Sequence, residues 1–162
     1  GVGTFAVQIA KSFGAEVTGV CSSRNVEILR SIGADHIINY TKEDFAQHKE
    51  SYDLVLGVNG SNSLSAYKKV LKPNGKFVHV GGSESQLYQT LFLGPFISLT
   101  GSKKISSLLQ RANQKDLNDL KELLEMGKVR PIIDKRFKLS EITEAFKYFQ
   151  EGHAQGKVVI TL

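Results

Sequence analysis

Apolar residues Ala6, Ile9, Ala10 and Phe13 recur at helical spacing, and Gly14 stands where a helix end favours a left-handed residue, so a short amphipathic helix is predicted over Thr4–Phe13. The β-branched run Glu16–Cys21 then reads as a strand, and Arg24–Ile32 as a second helix stopped by Gly33. The alternation continues. His36–Asn39 is predicted as a strand, Lys42–Lys49 as a polar helix, Tyr52–Gly57 as a strand and Ser61–Leu71 as a helix, after which Pro73-Asn74-Gly75 turns the chain into the strand Lys76–Val80. Strands alternating with helices of about ten residues form right-handed βαβ crossovers, and hence a mostly parallel, doubly wound α/β sheet with helices on both faces.

The second half is less regular. Gln86–Pro95 reads as a loop, Phe96–Gly101 as a strand, and Ile105–Met126 as one long or broken helix carrying Leu108, Leu109, Leu117, Leu120 and Leu124. Arg130–Phe137 is extended, Ser140 is placed to cap a helix with Ile142, Ala145, Phe146 and Phe149 on one face, and Lys157–Leu162 closes as a strand. No internal repeat, linker or low-complexity tract interrupts residues 1–162, and 162 residues at 41% hydrophobic content suit one domain with one core.

The net charge of +5 sets the ligand classes without fixing one. Lysines and arginines alternate with acids and form no long run, which gives no support to a nucleic-acid partner and suits a small anionic ligand. The single cysteine, Cys21, excludes an internal disulfide and a multi-cysteine zinc cluster within these residues, and the four histidines show no metal-ligand spacing. No apolar run reaches the roughly 20 residues that span a bilayer, and the expected setting is cytoplasmic, with no membrane partner.

Candidate chemistry gathers at the turns. Gly1-Val2-Gly3-Thr4-Phe5-Ala6 matches the G-x-G-x-x-G/A turn that brings backbone close to a pyrophosphate and aims a helix N-terminus at it. After the strand ending at Cys21 there is no acid to hold ribose hydroxyls. Instead Ser22, Ser23 and Arg24 offer hydroxyls and a fork-shaped cation suited to a phosphate, unless the serines merely cap the next helix. Tyr40, with Lys42 nearby, follows the next strand and is either an adenine-facing ring or a plain surface tyrosine. Asn59-Gly60 and Gly81-Gly82 follow later strands as turns that permit close backbone approach, or as ordinary loop punctuation.

Several segments together, GVGTFAVQIAKSFGAEVTGVCSSRN, IGADHIINYTKEDF, KPNGKFVHVGG and GKVRPIIDKRFKLSEITEAFKYFQEGHAQGKVVITL, resemble the quinone oxidoreductase branch of the medium-chain dehydrogenase/reductase superfamily, zeta-crystallin-like and zinc-type alcohol dehydrogenase-like proteins included. The resemblance runs the length of the chain. It implies a Rossmann domain holding NADPH, preceded in the family by a first strand and a GroES-like domain that supplies most of the substrate pocket, so these residues are expected to be an N-terminally truncated cofactor domain. By position, it implies that Gly1, Val2 and Gly3 cradle the pyrophosphate, that Ser22, Arg24 and Tyr40 surround the adenosine phosphate, and that Asn59, Gly60 and Gly81 lie along the cofactor. Leu99, Thr100, Gly101 and Ser102 would border the nicotinamide, and Lys157 would add a further contact.

The resemblance further implies hydride transfer to a quinone, activated alkene or carbonyl, governed by orientation more than by a protein nucleophile, in a homodimer joined through sheet edges. YDLVLGVNG departs from the family's usual acid and paired glycines at this place. Two further readings stand beside this one. A Rossmann scaffold kept for nucleotide binding or interaction alone is one, and an S-adenosylmethionine methyltransferase is the other, which Ser22-Ser23-Arg24 disfavours because it needs an acid there.

Overall fold

The computed structural model describes residues 1–49, 51–60, 62–82 and 84–162, with the side chain of Thr100 also outside the description. In chain order the elements are α1 (Val2–Ser12), β1 (Thr18–Cys21), α2 (Val26–Ser31), β2 (His36–Asn39), β3 (Tyr52–Gly60), α3 (Leu64–Val70), β4 (Leu71–Gly82), α4 (Glu84–Thr100), β5 (Lys104–Ser107), α5 (Gln114–Glu125), β6 (Ile133–Lys138), α6 (Ile142–Gln150) and β7 (Lys157–Thr161). Every strand pairing is parallel, and each pair is joined through a helical crossover. The structure is α/β of the Rossmann type, as the alternation predicts.

The chain divides into two compact units, residues 1–42 with 113–162, and residues 43–112. The first holds the sheets β1–β2 and β6–β7. In it α1 begins at Val2, ahead of the expected Thr4, and Gly14 at φ +76 and Gly33 at φ +93 end α1 and α2 in the left-handed conformation. Residues Ser23–Asn25 form a 3₁₀ turn before α2. The helix expected to be capped by Ser140 starts instead after a 3₁₀ turn over Leu139–Glu141, where the Glu141 carboxylate accepts from the Lys138 N–H at 2.7 Å. A carboxylate reaching back to an orphan backbone donor satisfies it better than a serine placed inside the turn.

The second unit is a three-stranded sheet in the order β3–β4–β5. Its core is Phe77 on β4, stacked on Tyr67 of α3 at 4.3 Å, with Phe45, Leu64, Val70, Leu71 and Ile105 buried around it. The turn at Pro73-Asn74-Gly75 is absorbed into β4 as a shift in register, with Asn74 at φ +65; a side chain at Gly75 would stand 2.9 Å from the Lys72 carbonyl oxygen.

Three expectations fail here. Lys42–Lys49 is not a helix but holds a single 3₁₀ turn, Phe45–Gln47, with the Asp44 carboxylate accepting from the Ala46 N–H. Residues 86–95 and 96–101, expected as loop and strand, are one helix, α4, which runs through Pro95. Ile105, expected to open a long helix, is instead the centre of β5, and the helix begins only at Gln114, capped by Asn113. The physical reason is tertiary. Ser98 on α4 locks onto Ile105 from both sides, its hydroxyl accepting from the Ile105 N–H at 2.9 Å and donating to the Ile105 carbonyl at 3.3 Å, while Gly94 packs directly on Ile105. Ser61, where α3 was expected to begin, lies outside the described residues; α3 starts at Leu64, capped by the Ser63 hydroxyl.

Candidate functional site

In parallel α/β sheets, ligands meet the carboxyl ends of the strands. In the first unit, β1 and β2 end side by side, Cys21 opposite Asn39. The Asn39 amide donates to the Ser23 hydroxyl at 2.9 Å, the Ser23 and Thr41 hydroxyls lie 2.9 Å apart, and the Asn39 side-chain oxygen accepts from both the Thr41 N–H and the Thr41 hydroxyl. A hydroxyl-rich shelf results, with Ser22 extended just before it and Arg24 exposed on it. Ser22 stands at the N-cap of the 3₁₀ turn Ser23–Asn25, its carbonyl accepting from the Asn25 N–H at 3.0 Å and its side chain making no capping hydrogen bond. Tyr40 is exposed, its N–H bonded to the Cys21 carbonyl. The Cys21 thiol below is pushed up from its ordinary pKa by burial.

The glycine turn lies at the start of α1. Gly1 is the N-cap residue, Val2 and Gly3 form the first turn with no acid among them, and a Cβ at Gly1 or Gly3 would meet nothing within 4 Å. Unbonded N–H groups at a helix start beside open space suit an anion. The segment before β7 connects this turn to the shelf. The Gln155 amide donates to the Arg24 carbonyl at 2.8 Å and to the Asn25 side-chain oxygen at 2.9 Å, and two residues on, the Lys157 ammonium lies 5.7 Å from the Phe5 ring centre. Gly156 between them has no room for a side chain, since a Cβ would stand 2.3 Å from the Ile132 carbonyl oxygen. Gly1, Val2, Gly3, Ser22, Ser23, Arg24, Tyr40 and Lys157 thus belong to one unit, and Asn39, Thr41 and Gln155 join them unforeseen. The Asn39 network was readable in part from the polar run that follows each strand; Gln155 could not be found without the fold.

In the second unit, Asn59 and Gly60 end β3 and Gly81 and Gly82 end β4, with Val58 opposite Gly81 and Gly60 opposite Gly82. Asn59 is left-handed at φ +55, a Cβ at Gly60 would stand 2.2 Å from the Tyr67 hydroxyl oxygen, and Gly81 faces open space. One register step back, His79 and Ser107 are partners across β4 and β5. His79 is 5% exposed, and both its Nδ1 and the Ser107 Oγ are buried without a hydrogen-bond partner. The residues that follow β5 are Leu108, whose N–H bonds the His79 carbonyl at 2.8 Å, and Leu109, 81% exposed.

Leu99, Thr100, Gly101 and Ser102 do not join this edge. Because residues 96–100 end a helix and not a strand, these four lead into the amino end of β5, at the opposite end of the ladder from Gly81; the Thr100 side chain lies outside the described residues.

The sequence profile of zinc-binding dehydrogenases matches residues 32–160. The chain belongs to that family. It is 34% identical to the chloroplastic quinone-oxidoreductase QR1 of Triphysaria versicolor, over 99% of this chain and 49% of that protein. It is 36% identical to an NAD-dependent alcohol dehydrogenase of Saccharolobus solfataricus, over 99% and 47%. The solved quinone oxidoreductase of Coxiella burnetii superposes over all of this chain and 50% of its own, with a TM-score of 0.80 at 29% identity. The chain spans about half the length of the relatives it matches. Among the described residues no three His, Cys, Asp or Glu side chains gather to hold a metal, and no helix is long and apolar enough to cross a membrane.

Proposed function

We propose that this chain is the cofactor-binding part, residues 1–162, of an NADPH-dependent oxidoreductase that passes hydride to a quinone or an activated alkene or carbonyl. The observation that carries the reading is the shelf beyond β1 and β2. It presents Ser22, Ser23, Thr41 and Arg24 and no carboxylate among residues 22–25 and 40–42. A ribose 2′-phosphate needs hydroxyl donors and a cation, whereas a bare 2′-hydroxyl is held by an acid.

The residues of the first unit fit the phosphates of a dinucleotide: the first turn of α1 would receive the pyrophosphate beside Lys157, and the shelf would take the adenosine phosphate with Tyr40 at its rim. In the second unit, taken by itself, Gly81 leaves open space for close approach at the end of β4, next to Asn59 and Gly60 at the end of β3. In this reading Leu108 and Leu109 replace Leu99 to Ser102 beside the nicotinamide, which when bound supplies the hydride. The unpartnered His79 Nδ1 and Ser107 Oγ require a donor and an acceptor, which a water or a ligand amide provides. Among the described residues no cluster of His, Cys, Asp or Glu side chains fits a zinc ion. Orientation, not nucleophilic attack, is the contribution of this chain. Turnover belongs to the longer arrangement of the relatives, and pairing of two copies along β5 is the dimer this reading favours, checked by sedimentation.

Calorimetric titration with NADPH and NADH tests the proposal. NADPH is expected to bind at least about tenfold more tightly, and Arg24→Ala to erase the difference while leaving NADH unchanged. Equal affinity of the unaltered chain for the two cofactors would overturn it.

A further inference from the structure

The charge that reads as evenly spread in the sequence is gathered by the fold. Residues 68–104 hold Lys68, Lys69, Lys72, Lys76, Lys103 and Lys104 against one acid, Glu84; of the chain's 21 cations and 16 acids, 15 of each remain elsewhere, so the whole net charge of +5 resides in this segment. All six lie in the last turn of α3, which leads into β4, or at the amino ends of β4 and β5 in the second unit. Lys76 and Lys104 are register partners on adjacent strands, both exposed. The Lys103 ammonium donates to the Lys68 carbonyl at 3.0 Å, which sets it against the last turn of α3, where Lys68 and Lys69 are exposed. Lys72 follows that turn and pairs with Asp53 at 2.9 Å. Like charges directly opposed across a ladder are unfavourable.

This edge is the amino end of the sheet, away from the carboxyl ends that carry the proposed cofactor contacts. Apolar side chains stand beside the cations. The Lys104 ammonium donates to the Ser98 carbonyl at 2.9 Å, next to Leu99, which is 84% exposed, and Phe96 one turn back along α4 is exposed as well. The cations are lysines without an arginine. Lysine is a compact, strongly hydrated charge suited to a diffuse anionic surface, while protein interfaces favour arginine and aromatic anchors and are poor in lysine.

We infer that the amino edge of β4 and β5 docks on an anionic lipid surface, the lysines facing acidic headgroups and Leu99 and Phe96 reaching the acyl boundary. The inference is independent of which cofactor the chain binds. Flotation of the chain with vesicles of phosphatidylcholine containing 30% phosphatidylserine, at about 0.1 M salt, is expected to carry it to the lipid, with loss at about 0.5 M salt and no binding to pure phosphatidylcholine. Replacing Lys68, Lys69, Lys76 and Lys104 by Gln should lower partitioning at least about hundredfold, since each lysine near such a surface contributes roughly 1 kcal/mol. A second variant with Gln at Lys121, Lys128, Lys138 and Lys147 carries the same net charge and should still bind. Thermal melts of both confirm folding, and should the first variant fail to fold, Leu99→Asn is expected to reduce partitioning severalfold in its place. Failure of the unaltered chain to float, equal loss in the two four-lysine variants, no loss with Leu99→Asn, or binding of soluble polyglutamate in preference to vesicles would each overturn the inference.

Discussion

The side chain of Gln8 bonds Arg130 as a neighbouring strand would, donating from Nε2 to the Arg130 carbonyl at 3.0 Å and accepting from the Arg130 N–H at Oε1, also 3.0 Å. The same Nε2 donates to the Thr4 carbonyl at 2.9 Å, and Gln8 is buried. An amide on α1 thus satisfies backbone that would otherwise be left without partners near β6. Gln8→Ala should cost about 1–3 kcal/mol, and Gln8→Glu nearly as much, because a carboxylate keeps the acceptor and loses both donors. Urea unfolding measures it; a change under about 0.3 kcal/mol for both variants would contradict the role.

Gly60 is fixed by the ring opposite. A Cβ there would stand 2.2 Å from the Tyr67 hydroxyl oxygen, and Tyr67 cannot yield because it is stacked on Phe77 and tilted against Phe45. Gly60→Ala should destabilise by about 1–3 kcal/mol, and adding Tyr67→Phe, which removes the atom it meets, should restore part of the loss. Strict additivity in the double-mutant cycle would count against this contact.

Which elements the sequence discloses follows from how local their causes are. β2 is read at its true bounds, His36–Asn39, because its apolar pair sits between a helix-ending glycine and a polar turn. The closing β7 is likewise legible, while α1 takes in Val2 and Gly3 ahead of its expected start. The region 84–107 is not, because Gly94-Pro95 looks like a break and Ile105, Leu108 and Leu109 fall at helical spacing, whereas the fold is decided by Ser98 gripping Ile105. Leu99 to Ser102 therefore lie at the amino end of β5, whereas Ser22 and Arg24, which depend only on where β1 ends, lie where the sequence places them.

Gly3 separates binding from folding. Nothing lies within 4 Å of a Cβ at this position, so Gly3→Val should change the melting temperature by no more than about 2–4 °C while weakening NADPH at least about tenfold, because the methyls occupy the space the pyrophosphate is proposed to take. Unchanged affinity by calorimetry would remove Gly3 from the site.

Asp35 gives the acid side of the stability curve a sign. The Lys11 ammonium at 2.7 Å, and then the Val17 N–H at 2.7 Å, hold its carboxyl below the ordinary carboxylate pKa. A depressed folded pKa means stability that is present above the unfolded value and lost as pH falls through the folded one. Asp35→Asn should therefore lower the melting temperature at pH 7 and flatten its decline below about pH 4, since fewer protons are taken up on unfolding there. A decline as steep as that of the unaltered chain would show that Asp35 does not contribute.

The division of the chain also orders its synthesis. The second unit is contiguous, residues 43–112, whereas the first is assembled from residues 1–42 and 113–162, with Gln8 and Gln155 each bonding across more than a hundred residues. Contacts of short sequence separation close first. On a ribosome the inner unit can therefore fold while α1, β1 and β2 still wait for partners, and the proposed anion turn is finished only when Lys157, made after the whole inner unit, arrives beside it.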